Sequence, residues 1–139
     1  MKEFKITSDS ITLETGKDEV ENREIGARSV FEGVVRDTND GHQVRKLEYE
    51  CYEPLAIKEG NQILDEAIEM FDLIDAFCIH RVGTLEIGEI AVVVVVTSGH
   101  RDEAFKGCRY IIDEVKSRVP IWKKEHYEDG ETEWLKVAG

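Results

Sequence analysis

The stretch Glu89-Ile90-Ala91-Val92-Val93-Val94-Val95-Val96-Thr97-Ser98-Gly99-His100-Arg101 decides the fold. Its seven consecutive apolar residues, Ile90 to Val96, are mostly β-branched and do not alternate with polar ones. That pattern predicts a strand covered on both faces, since a strand with one wet face would alternate. Seven residues are also far too few to cross a membrane. Directly after it, Ala104, Phe105, Cys108, Ile111, Ile112 and Val115 recur at helical spacing, which predicts an amphipathic helix over Arg101 to Arg118. Pro120 stops that helix, because the residue before a proline is pushed out of the α region. A buried strand therefore feeds a helix through the short polar turn Ser98-Gly99-His100.

Working outward, Ile74 to Val82 and Glu89 to Thr97 form a strand pair, linked by a segment with turns at Gly83 and Gly88. Pro54 suits the first turn of a second helix, with Ile57, Gly60, Leu64, Ala67, Ile68 and Phe71 on one side. Val44 to Tyr52 alternates: Leu47, Tyr49 and Cys51 share one face, and Lys46, Glu48 and Glu50 the other. Such a period of two marks a half-buried strand. We expect it to pair with Ala27 to Arg36 through a flexible hairpin, since Asp37-Thr38-Asn39-Asp40-Gly41 is a run of turn formers. Phe4 to Thr7 reads as a short strand, and a helical turn is expected near Asp18 to Arg23. The tail from Ile121 to Val137 is expected to be extended, with Trp122 and Trp134 as anchors. The sum is an α+β domain spanning residues 1–139, a mainly antiparallel sheet with two amphipathic helices.

Composition narrows the function. A hydrophobic fraction of 41% beside a charged fraction of 35% describes a globular chain, not a disordered or fibrous one. Met1-Lys2-Glu3-Phe4-Lys5 has no apolar run of a secretory leader, so a cytoplasmic location is expected. Cys51, Cys78 and Cys108 are odd in number and set in apolar patterns, which fits buried reduced thiols. No Cys-x-x-Cys pair or His/Cys cluster marks a metal site. The net charge of −12 argues against nucleic acid as a partner. Yet His100 to Lys124 holds seven Lys or Arg against four Asp or Glu, so this segment carries +3 and the remainder −15. A basic segment in an acidic chain fits a small-anion site, and fits equally a solvated helix face.

Three places could carry chemistry. His100 and Arg101 lie at a helix N-terminus, whose free N–H groups and partial positive charge suit a phosphate or carboxylate. Asp102 and Glu103 satisfy the same dipole, leaving His100 as a loop residue in the simpler reading. Lys116 lies at the border of the apolar stripe, and Lys123 follows the proline break beside a tryptophan expected to be buried. Amines held against apolar surface have lowered pKa values and serve as acid, base or nucleophile near neutral pH. Lysines that merely lay their stems over the core edge give the same pattern. Arg36 closes a strand beside a loop, where it suits an anion clamp or a surface ion pair. His42, His80 and His126 point to nothing specific, with His80 read as a strand residue holding a local hydrogen bond. Cys108 faces its helix's core side, which disfavours a sulfur-relay role.

Four segments occur together in a recognisable order: Phe31-x-Gly33-x-Val35-Arg36-Asp37; Leu47-Glu48-Tyr49-Glu50-x-Tyr52; Gly99-His100-Arg101-x-x-Ala104-Phe105; and Lys116-x-Arg118-x-Pro120-Ile121-Trp122-Lys123-Lys124-Glu125. From about Ala27 to Trp134 the chain resembles the large, catalytic subunit of molybdopterin synthase. The resemblance implies an α/β-hammerhead-like fold with an α+β core. It implies a sulfurtransferase that delivers two sulfur atoms to cyclic pyranopterin monophosphate, giving the dithiolene of molybdopterin. The sulfur would arrive as a thiocarboxylate on the C-terminal Gly-Gly of a small ubiquitin-like carrier subunit, so no metal, cofactor or reactive cysteine is implied here. By the same resemblance Lys116 and Lys123 are the catalytic lysines. Arg36, His100 and Arg101 hold the phosphate and pterin, the last two across a homodimer interface within a heterotetramer. Relatives often carry a further Arg beyond the position of Trp134, where this chain has only Lys136, and a lysine does not reproduce a bidentate guanidinium contact. Ala138-Gly139 is not a carrier's Gly-Gly, so this chain is expected to receive sulfur. The competing expectation is a noncatalytic module that binds an anionic metabolite or a protein tail.

Overall fold

A computed structural model describes the chain apart from residues 1, 13–22, 40, 129, 132–133 and 137–139. The expected turn near Asp18 to Arg23 falls mostly outside the described residues. The elements run β1 (Glu3–Thr7), β2 (Ala27–Val34), β3 (Thr38–Asn39), β4 (His42–Cys51), α1 (Glu53–Phe71), β5 (Asp75–Arg81), β6 (Gly83–Glu86), β7 (Ile90–Ser98), α2 (Arg101–Arg118), β8 (Ile121–Tyr127), β9 (Gly130–Glu131) and β10 (Leu135–Lys136). The architecture is α+β and mainly antiparallel; of the pairings described, β1 with β5 alone is parallel.

The valine run forms β7, with β5 on one side and β2 on the other in the order β1-β5-β7-β2. Helices α1 and α2 pack side by side on one face of this sheet, α1 over β1 and β5, α2 over β7 and β2. Val92, Val94 and Val96 point into the main core, with Ile63 and Leu64 of α1 and Ile111 and Val115 of α2. Val93 and Val95 face the opposite side, in a second buried cluster with their neighbours Phe77 and Ile79 on β5 and with Ile11. Both faces of β7 are thus dry, as its lack of alternation requires. Each fully buried Leu, Ile or Val contributes roughly 1.5–3 kcal/mol, so the helices are held mainly by packing. Gly60 of α1 is a point of close approach: a Cβ there would lie 2.2 Å from the Phe4 ring. Only a bare α-carbon lets that ring, 2% exposed, seal the end of the core.

The second sheet has β4 at its centre, flanked by β8 on one side and by β6 and β3 on the other. The expected pairing of Ala27–Arg36 with Val44–Tyr52 is therefore overturned, because β2 pairs with β7 along its whole length and β4 belongs to the other sheet. The physical reason lies in the two patterns. A strand buried on both faces must also have both edges covered, and β2 covers the free edge of β7. The half-wet β4 is matched by β8, which carries the same mixture of buried and exposed positions. Between them, Val35 turns inward and ties the connection to the β6–β7 loop through Val35 N–H to Glu89 O and Gly88 N–H to Val35 O. The linker at Gly83 also contains the strand β6, which its turn-like glycines concealed; Leu85 from it is fully buried.

Three burial expectations fail. Phe105 is 62% exposed, because the apolar stripe of α2 is centred further round and its far edge is Gly107, seated against Leu73. Trp122 and Trp134 are each 37% exposed, and β8 is anchored instead by Ile121, Glu125 and His126. Cys51 is only partly buried, whereas Cys78 and Cys108 are buried; all three are free thiols.

Candidate functional site: the two ends of helix α2

At 100° per residue, Phe105, Arg109, Ile112 and Lys116 fall on one flank of α2. That flank and Ser29, Val30 and Phe31 of β2 line a groove of about 620 Å³. Lys116 closes its C-terminal end and is half-buried. Burial pushes the Lys116 amine below the ordinary lysine range, the positive charges of Lys123 and Arg36 push it further, and Asp113 opposes them. Lys116, Lys123 and Arg36 reach this point from three elements: the last turn of α2, strand β8 and the residues after β2. Two of the expected site lysines and the expected anion clamp therefore lie close enough to sense one another's charge.

Lys123 pairs with Glu125 at 3.2 Å, and Glu125, 3% exposed, also accepts a hydrogen bond from Tyr127 Oη. In the β4–β8 register Lys123 lies opposite Tyr49, whose hydroxyl is pushed up to about 12 by burial and by the charge of Glu125. Tyr49 packs edge-on against His80, with ring centroids 5.1 Å apart. His80 is the predicted strand residue with a local hydrogen bond: Nδ1–H donates to the Arg81 carbonyl at 2.8 Å. Burial pulls its pKa down to about 4, and Lys116 contributes to that shift, so the imidazole is neutral at physiological pH. Sequence reasoning gave Tyr49 and His80 no part in the site. Tyr49 was read as one face of the alternating β4 and His80 as a strand residue with a local hydrogen bond, and only the packing of two sheets brings them beneath the lysines.

His100 and Arg101 are at the other end of α2. His100 is the N-cap residue in extended conformation (φ −137°, ψ 154°) and makes no side-chain capping bond; both residues are exposed. They line a second opening of about 610 Å³ with Gly26, Gly99, Asp102 and Phe105. Its backbone is set by one close approach. Gly26 N–H donates to Ser98 O at 3.0 Å, and a Cβ on Gly26 would lie 2.1 Å from Gly99 O. Fifteen helical steps separate Arg101 from Lys116, which is about 22 Å along α2. One protomer thus does not bring the five expected residues together: Arg36, Lys116 and Lys123 form one group, His100 and Arg101 another. Phe105 is shared by the two openings.

Among the described residues no cluster of His, Cys, Asp and Glu could hold a metal ion, and no helix is long and apolar enough to cross a membrane. Burial pushes the thiols of Cys78 and Cys108 up from their ordinary value, so they are poor nucleophiles.

Comparison with known proteins agrees with this architecture. A molybdopterin synthase catalytic subunit from Pyrococcus abyssi is 48% identical over 81% of this chain and 76% of its own. One from Bacillus subtilis is 44% identical over 97% of this chain and 85% of its own. The crystal structure of molybdopterin synthase from Staphylococcus aureus superposes with a TM-score of 0.89 at 41% identity, covering 97% of this chain and 98% of that one. The family model described as MoaE protein matches residues 6–118, and the chain belongs to that family, the catalytic subunits of molybdopterin synthase.

Proposed function

We propose that this subunit inserts two sulfur atoms into cyclic pyranopterin monophosphate, taking them from the C-terminal thiocarboxylate of a small ubiquitin-like carrier. The observation that carries the reading is the half-buried Lys116, lowered by burial and by the charges of Lys123 and Arg36. A thiocarboxylate brings its own nucleophile, so the receiving subunit must neutralise anions and move protons. Lys116, the more easily deprotonated for its burial, lies beside the incoming thiocarboxylate and takes or gives the proton as the sulfur adds. Lys123, paired with Glu125, presents positive charge to the substrate and assists proton transfer. Arg36 holds phosphate or pterin oxygen through its fork of donors.

His100 and Arg101 complete the site from a second copy of the chain. Their distance of about 22 Å from Lys116 exceeds what one small pterin spans, and a two-fold axis beside the middle of α2 brings the N-terminal end of one helix to the C-terminal end of the other. Phe105, exposed at the N-terminal end of that flank and lining both openings, fits such a contact. The enzyme is then a homodimer with one carrier per protomer, a heterotetramer whose active sites are shared.

The test is reconstitution from the purified chain, thiocarboxylated carrier and the pterin phosphate, with molybdopterin as the readout. No product from folded protein would sink the reading. Lys116→Arg and Lys123→Arg separate an enzyme from a binding module, since a module tolerates the swap and proton transfer does not. Mixing His100→Ala/Arg101→Ala protomers with Lys116→Ala protomers tests the shared site. Half of randomly assorted dimers are mixed and each has one intact site, so activity returns to about a quarter of wild type. Proven exchange without recovery would refute sharing while leaving the lysines in place.

A further inference from the structure

We infer that Arg118 is a positioning residue for Lys116: it locks the rotation of the last turn of α2 from the side opposite the site. This rests on the proposed role of Lys116. Two residues at 100° each put Arg118 on the far side of the helix from Lys116, facing α1. There its guanidinium donates Nε–H to Glu59 at 2.8 Å, Nη1 and Nη2 to the two oxygens of Glu66 at 2.7 and 3.0 Å, and Nη1 to Glu114 at 3.1 Å. Tyr110 adds a hydrogen bond to Glu66 at 2.7 Å. Glu59 and Glu66 belong to α1, whose Ile63 and Leu64 are fully buried, so the clasp ties the last turn of α2 to a rigid neighbour.

A helix end normally frays, because its last carbonyls lack partners. Here the end must hold an amine against apolar surface while the chain reverses through Val119, Pro120 and Ile121 to place Lys123 on β8. Val119 and Ile121 are buried and fix the chain beyond the break. Packing restrains the helix on its sheet-facing side, and the planar guanidinium restrains it on the side that faces α1. A bidentate pair resists rotation about the helix axis in a way a point charge does not. The separation of the two lysine amines is set between these restraints.

The groups facing Lys116 are Asp113 from its own helix, Lys123 from β8, Arg36 after β2 and His80 from β5. Arg118 is not among them, so it acts on Lys116 through geometry. Arg118→Lys is the informative variant, because it keeps the charge and loses the fork. The first readout is the titration of Lys116 followed by the NMR signal of its Cε in the full chain, which needs neither carrier nor pterin. With the last turn loosened, Lys116 gains water and titrates at higher pH than in wild type. Glu66→Gln is the second variant and also covers a failure of Arg118→Lys to fold. Removing that negative charge by itself would lower the lysine titration, so an upward shift there reports geometry. In the reconstituted reaction both variants lose on the order of tenfold in kcat per folded molecule with KM little changed. An unshifted Lys116 titration in both variants, whatever their melting temperature, overturns the inference. A wild-type chain that makes no molybdopterin would remove the proposed function, while the titration would still report whether Arg118 sets the lysine.

Discussion

The two ends of helix α2 are built by opposite rules. At the C-terminal end Lys116 is half-buried, hemmed by like charges and backed by the Tyr49–His80 pair. At the N-terminal end His100 and Arg101 stand in solvent on a backbone fixed by two glycines. The difference is what the two proposed tasks demand. A group that exchanges protons needs a shifted pKa, and that needs burial and neighbours. A group that grips an anion needs only charge, donors and reach, and exposure leaves it available to another molecule. One helix thus offers a finished half-site at one end and an unfinished one at the other.

The largest expected effect strikes the buried end. Lys116→Ala or Lys123→Ala should lower kcat by about 10²–10⁴-fold in a folded protein, measured by molybdopterin formation. Wild-type turnover in either variant would erase the distinction between the ends. At the exposed end His100→Ala or Arg101→Ala should act mainly on KM, costing roughly 1.5–3 kcal/mol of substrate binding for each lost charge-assisted bond. If kcat falls and KM does not, the N-terminal group takes part in chemistry and the comparison needs redrawing.

A pH prediction sharpens the buried end further. His80 has a folded pKa of about 4 against 6.5 in the unfolded chain. The unfolded state therefore binds more protons in between, and the stability His80 lends is complete above pH 6.5 and is lost as pH falls toward 4. Chemical denaturation from pH 7 to 4.5 should show the loss, and His80→Gln should remove most of that slope. Glu66, held down to about 2 by Arg118 and Tyr110, gives way only at lower pH, so the two contributions separate. The smallest effect belongs to the thiols. Cys78→Ala and Cys108→Ala should cost about 1–3 kcal/mol through lost packing, and the partly exposed Cys51 less. All three should retain sulfur transfer per folded molecule, and a persulfide trapped on any of them during turnover would contradict the external sulfur source.

The fold was legible wherever one pattern served one environment. The bounds of α2 follow from its stripe and Pro120, and β7 follows from seven apolar residues without alternation. The pairing of β5 with β7 was legible, since the two runs are joined by one short segment, but the partner of β2 was not: local turn formers between β2 and β4 predict a hairpin, while the edge of β7 decides the pairing from about sixty residues away. Phe105 was misassigned because hydrophobicity alone does not tell a buried position from an exposed one. For the site, residue types were readable and their grouping was not. Lys116 at the stripe border becomes half-buried as read, but Tyr49 and His80 enter from two different sheets, and no spacing along the chain announces that meeting.

The valine run has a further consequence away from the folded state. Ile90 to Val96 is β-branched, uncharged and free of proline, a composition that stacks readily into intermolecular sheets. In the native fold it occupies the middle of a sheet with neighbours on both edges, out of reach of other chains. Before β2 and β5 close on it, both edges are bare. Glu89 directly precedes it and Arg101, the first charged residue beyond it, follows five positions after Val96, while the overall charge of −12 keeps unfolded chains apart. Neutralising the exposed Arg101 should therefore lower the yield of refolding while leaving the native protein's melting temperature nearly unchanged, whereas neutralising Glu89 should lower both, because Glu89 is the partner of the buried Arg81.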